Sequence, residues 1–128
     1  MKSLTVVIYP DNVLSKNRRG SAHWTAVSAA TRQARDDAFV LGRVEMEADW
    51  KTLRKACIEI VQYHARRPLD YDGLACVCAP TIDGLVDAGV MADDDPSIIL
   101  SYNMRHEKVK TVAENRIEIT VSERPKGS

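Results

Sequence analysis

Two hydrophobic periods alternate along this chain, and their interleaving limits the fold more than any other feature. Leu4 to Tyr9 (LTVVIY) is a β-branched run closed by Pro10-Asp11-Asn12, which predicts a strand. After a polar loop, Ser21 is placed to cap a helix, along which Trp24, Val27, Thr31, Ala34, Ala38 and Leu41 recur at spacings of three and four. Gly42 is expected to end or loosen that helix, and Arg43 to Lys55 is ambiguous, a strand and a turn being one reading. Ala56 to His64 (ACIEIVQYH) predicts the next strand. Leu74 to Ala88 predicts a second helix, with Gly89 as its stop and Pro80 as a kink or a fresh first turn. Ser97 to Met104 and Arg116 to Val121 complete the strands. The order β-α-β-α-β-β predicts one α/β domain over residues 1–128, a small mixed sheet covered by two helices, with 123–128 a flexible tail.

That pattern also narrows the setting. No apolar run reaches the roughly 18 residues of a membrane span, and the opening MKSLTVVIYPDN does not read as a signal peptide. Three cysteines, Cys57, Cys76 and Cys78, form no even disulfide framework. The expectation is a cytoplasmic protein with no membrane partner.

A net charge of zero conceals a strong asymmetry. Residues 1–67 carry 12 Lys or Arg against 7 Asp or Glu, and residues 97–128 carry 6 against 4. Between them, residues 68–96 carry seven aspartates and no base. Such a run is commonly a solvated acidic surface. Set within an otherwise basic chain, it also suits a cation site on a surface that attracts polyanions.

Within that stretch Asp70 and Asp72 are separated by one residue. On an extended segment this spacing directs both carboxylates to one side, where they repel unless a proton or a cation is shared. A third carboxylate from Asp93–Asp95 would complete an oxygen-rich shell of the kind Mg²⁺ accepts. The chemistry implied is metal-assisted phosphodiester hydrolysis. D-x-D alone is a weak signal, because aspartates also populate turns and helix caps.

The wider pattern is more specific. Asp70-Tyr-Asp72-Gly-Leu74, then Ile82-Asp-Gly-Leu85-Val-Asp-Ala-Gly89, then Asp93-Asp94-Asp95-Pro96, resembles the core signature of the RusA family of Holliday-junction resolvases of phage and prophage origin. Asn17-Arg18-Arg19-Gly-Ser-Ala-His23-Trp24 is similar to that family's N-terminal segment, so the resemblance covers nearly the whole chain. It implies a homodimer that binds four-way DNA junctions and nicks opposing strands symmetrically with Mg²⁺ or Mn²⁺. It also implies metal-binding, catalytic carboxylates at Asp70, Asp72 and Asp94, with Asp93 and then Asp95 as alternatives to the last.

The chain departs from the family pattern twice: the Asn after the second Asp is Gly73, and the Lys early in the second helix is Ala79. The Lys is suited to stabilising charge on the phosphate during cleavage. Its absence admits a second reading, a non-catalytic junction-binding protein. Arg66, Arg67, Arg105, Lys108 and Lys110 are the candidates to replace it. Asn17, Arg18 and Arg19, with Arg32, Arg35, Arg66 and Arg67, form the expected DNA-binding surface, which holds phosphates with little regard to sequence. His23, His64 and His106 show no ligand spacing and read as structural or surface residues, His23 being the one to test. Cys76 and Cys78, two apart on a helix, read as small buried residues rather than a zinc pair, and Trp24 as core.

Overall fold

The computed structural model describes residues 2–9 and 24–123, and for 24–28 the backbone alone. Four strands form one sheet in the order β1-β4-β2-β3: β1 (Ser3–Ile8), β2 (Ala56–His64), β3 (Ile99–Lys108) and β4 (Arg116–Glu123). β4 pairs antiparallel with β1 and β2, and β2 pairs parallel with β3. The helices are α1 (Trp24–Glu45) and α2 (Tyr71–Ala88), and a short 3-10 turn, Val112–Glu114, precedes β4. The expected α/β architecture and element order are those observed. Among the described residues no helix is long and apolar enough to cross a membrane.

Alternation sorts the sheet into two unlike faces. Leu4, Val6 and Ile8 meet Val121, Ile119 and Ile117, and with Ile58, Ile60 and α2 residues Leu74, Val77, Ile82 and Leu85 they form the core. The other face carries Thr5, Thr120, Glu59, Glu118, Arg105 and Arg116 and is laced by their contacts. The Thr5 and Thr120 hydroxyls share a hydrogen bond of 2.8 Å, and Arg116 reaches Glu118 at 2.7 Å.

α1 differs from its expected span in an instructive way. It runs through Gly42 to Glu45 rather than ending there, and Gly42 packs into the helix pair, where only a residue without a side chain fits closely. A Cβ there would lie 3.1 Å from both the Ala88 Cβ and Leu85 Cδ2. The buried stripe is therefore Ala34, Ala38 and Gly42, and Leu41 turns outward, 37% exposed. Across from it Gly84 lets α2 approach so closely that a Cβ would sit 2.3 Å from the Arg35 carbonyl oxygen. The following segment forms no strand of its own, only a single bridge from Leu53 to Met91. β3 also starts later than expected, at Ile99, and continues to Lys108.

Because β2 and β3 are parallel, α2 returns the chain from one end of the sheet to the other. At 1.5 Å per residue, its 18 residues span about 27 Å. That length decides which aspartates can meet.

Candidate functional site

At the end where β2 and β3 finish, the link from β2 to α2 is fixed by side chains acting on backbone. The Ala65 amide donates to Asn115 Oδ1 (2.8 Å), and the Leu69 amide donates to Oε1 of buried Gln62 (3.1 Å). His64 Nδ1–H donates to the Arg66 carbonyl at 2.7 Å. Arg66, Arg67, Lys108 and Lys110 are exposed at this end.

Asp70 then caps α2. Its backbone is extended (φ −67°, ψ 168°), and its Oδ1 accepts the Gly73 amide at 2.6 Å, while the first helical bond runs from the Leu74 amide to the Asp70 carbonyl. Aspartate suits this place because it satisfies an otherwise unpaired amide and faces the positive end of the helix dipole. Asp72 lies in the first turn. The expected extended D-x-D, with both carboxylates on one side, is therefore corrected: α2 begins at Tyr71, and the two aspartates sit on a cap and a first turn.

The acidic loop lies at the opposite end. Gly89 closes α2 in the left-handed conformation (φ 88°). The chain then joins the 50–55 segment, where the Leu53 amide donates to the Val90 carbonyl, the Ala92 amide to the Leu53 carbonyl, and Trp50 Nε1–H to Val90 (3.1 Å). Asp93 Oδ1 accepts the Asp94 amide at 2.8 Å. Asp95 Oδ1 accepts the Ser97 hydroxyl and, at 2.8 Å, the Ser97 amide, and these bonds hold its carboxyl below the usual carboxylate range. Asp94 lies exposed between them.

Asp70 and Asp72 share one end of α2, and Asp94 follows the other. One chain does not assemble the expected carboxylate trio, and among the described residues no group of three His, Cys, Asp or Glu is spaced to hold a metal ion. Ala79 is exposed on α2, seven residues beyond Asp72 and so on the same helix face, about 10 Å along the axis. A lysine there would point back toward Asp72, since helical side chains lean to the N-terminus.

The basic candidates separate as well. Arg35 is committed to Asp87 through two hydrogen bonds of 2.6 and 2.9 Å, which raise the guanidinium pKa and lower that of the carboxyl. Arg105 faces Glu107 and Glu59 on the open sheet face. Arg32 is exposed on α1. Asn17, Arg18, Arg19, Ser21 and His23 lie outside the described residues, as does the Trp24 side chain. Cys78 is buried and Cys76 partly so.

Sequence reading did not bring His64 and His106 together, yet their rings meet at 5.8 Å, and the Tyr71 ring lies tilted against His106 at 5.0 Å. The parallel pairing of β2 with β3 was the needed signal, but the expected end of β3 at Met104 stopped short of His106.

Neither the known protein-family models nor the curated proteins contain a match to this chain.

Proposed function

We propose that this protein is a RusA-like structure-specific endodeoxyribonuclease, a homodimer that binds four-way DNA junctions and hydrolyses opposing strands symmetrically. The observation that carries this reading is the placement of Asp70 and Asp72 at the end of the sheet that also presents Arg66, Arg67, Lys108 and Lys110. Carboxylates for an ion stand beside cations for a phosphate backbone. The resemblance of residues 70–96 to the RusA signature supplies the substrate class.

Phosphate contacts from the arginines and lysines hold the duplex arms and fix their register. Asp70, pinned by the Gly73 amide, presents a preorientated carboxylate. The ion of this reading is Mg²⁺ or Mn²⁺, which take carboxylate oxygens. Because α2 separates the D-x-D pair from its own acidic loop, the trio closes only if the Asp93–Asp95 loop of a second copy meets Asp70 and Asp72. A two-fold dimer repeats that encounter and so creates two such sites, matching a substrate with two-fold character.

A second reading, a junction-binding protein without cleavage, is favoured by Ala79 at the family's lysine position. The two are separated with a labelled four-way junction, wild type against Asp70→Asn. The nuclease reading expects paired nicks from wild type, with none from Asp70→Asn, whose junction affinity is kept or tightened. Equal cleavage by both proteins removes Asp70 from the site. Binding without cleavage by wild type, converted to nicking by Ala79→Lys, identifies the binding protein and its missing group.

A further inference from the structure

Between Asp70 and Asp72 in the sequence stands an aromatic residue outside the core. Tyr71 is 55% exposed at the first position of α2. One side of its ring rests on His106, with centroids 5.0 Å apart and planes inclined by 40°, and His64 meets His106 edge-on at 5.8 Å. His64 is in turn anchored by its Nδ1–H bond to the Arg66 carbonyl. Three rings thus form a row rooted in the ends of β2 and β3. Nδ1 of His106 is buried with no hydrogen-bond partner, and the ring is held by its contacts with Tyr71 and His64.

An exposed ring fixed from behind is preorganised. A partner stacking on its outer side immobilises little further, and flat aromatic partners gain most from such contact. The adjacent cations, Arg66 and Arg67, select a partner that also carries negative charge. Stacking surface beside backbone-tracking arginines is the combination that holds unpaired nucleotides. A junction supplies them at its branch point, where pairs next to the crossover can open.

We infer that Tyr71, backed by His106, is a stacking platform for a nucleobase opened at the branch point, and so a residue that distinguishes junction from duplex. This inference rests on the junction-binding reading above. It does not require cleavage.

The test measures affinity for a four-way junction and for duplex of equal length, together with the emission of 2-aminopurine placed at the branch point. Wild type, Tyr71→Phe and His106→Phe keep the rings. All three are expected to prefer the junction and to change the emission. Tyr71→Ala and His106→Ala, checked for folding by thermal melts, are expected to lose roughly 5- to 100-fold in junction affinity, the range of one base–aromatic stack. Their duplex binding should stay within about twofold, as phosphate contacts are untouched. A wild type that prefers the junction, with Tyr71→Ala matching it in affinity and emission, overturns the platform alone. A wild type that binds junction and duplex equally overturns the junction reading and the platform with it.

Discussion

The carboxylate of Asp70 accepts the Gly73 amide at 2.6 Å, so the first aspartate of the D-x-D motif closes the N-terminus of α2. One side chain thereby holds a structural bond and stands in the proposed site. Asparagine caps as well as aspartate, whereas alanine does not. Asp70→Asn is expected to melt within a degree or two of wild type, while Asp70→Ala loses about 1 kcal/mol of stability. Thermal melts of both, beside the cleavage assay, separate the capping role from the chemical one.

Among the described glycines, Gly84 makes the closest approach, and a side chain there is costly. A Cβ on Gly84 would sit 2.3 Å from the Arg35 carbonyl oxygen and 2.6 Å from the Ala38 Cβ. Backbone cannot rotate away as a side chain can, so the helices must separate. Gly84→Ala should destabilise by about 1–3 kcal/mol, the usual range for overpacking, read as a lowered urea midpoint.

Much of this was legible beforehand, for reasons that are local. The β-branched run at 56–64 needs only its own composition to be a strand, and Gly89 ends α2 because only a left-handed residue fits there. What escaped depended on neighbours. Gly42 lies within α1 as a packing glycine, crowded by Ala88 and Leu85, which no local pattern reveals. β3 runs on through Arg105, His106 and Glu107 because an edge strand tolerates charge. Asp70 and Asp72 were seen as a pair, but their shared helix start was not. The distance from Asp72 to Asp94 follows from helix length alone once α2 is known to fill the gap.

Acid should weaken the fold through two carboxylates. Asp87 is lowered by its bond to Arg35, and Asp95 by its bonds to Ser97. A carboxyl whose folded pKa lies below its unfolded value stabilises above the unfolded value and loses that contribution as pH falls through the folded one. The melting temperature should therefore fall below the ordinary carboxylate range. Asp87→Asn should show a smaller drop between pH 7 and pH 3 than wild type does.

Burial pushes the Cys78 thiol up to about 12, while Cys57 and Cys76 are partly exposed. A disulfide reagent at neutral pH should leave Cys78 unmodified in the native protein and reach it only on unfolding. Cys78→Ser should abolish that late phase and no other.

A site shared between copies makes a distinctive prediction about mixtures. On the proposed reading, Asp70→Asn and Asp94→Asn proteins are each expected to be inactive alone and to form mixed dimers on joint refolding. If the trio closes between copies, one of the two sites in each mixed dimer is fully wild type, and nicking of one strand returns. If both carboxylates served the same chain, each site would lack one, and the mixture would stay inactive.

The central claim is tested most directly by a time course of wild-type protein with a labelled four-way junction at low salt. Mg²⁺ and then Mn²⁺ are supplied, with products resolved on denaturing and native gels. Symmetric nicks in opposing strands, absent from a duplex control, are the predicted result. A junction shifted on the native gel yet intact on the denaturing gel in both metals would contradict the assignment as a nuclease.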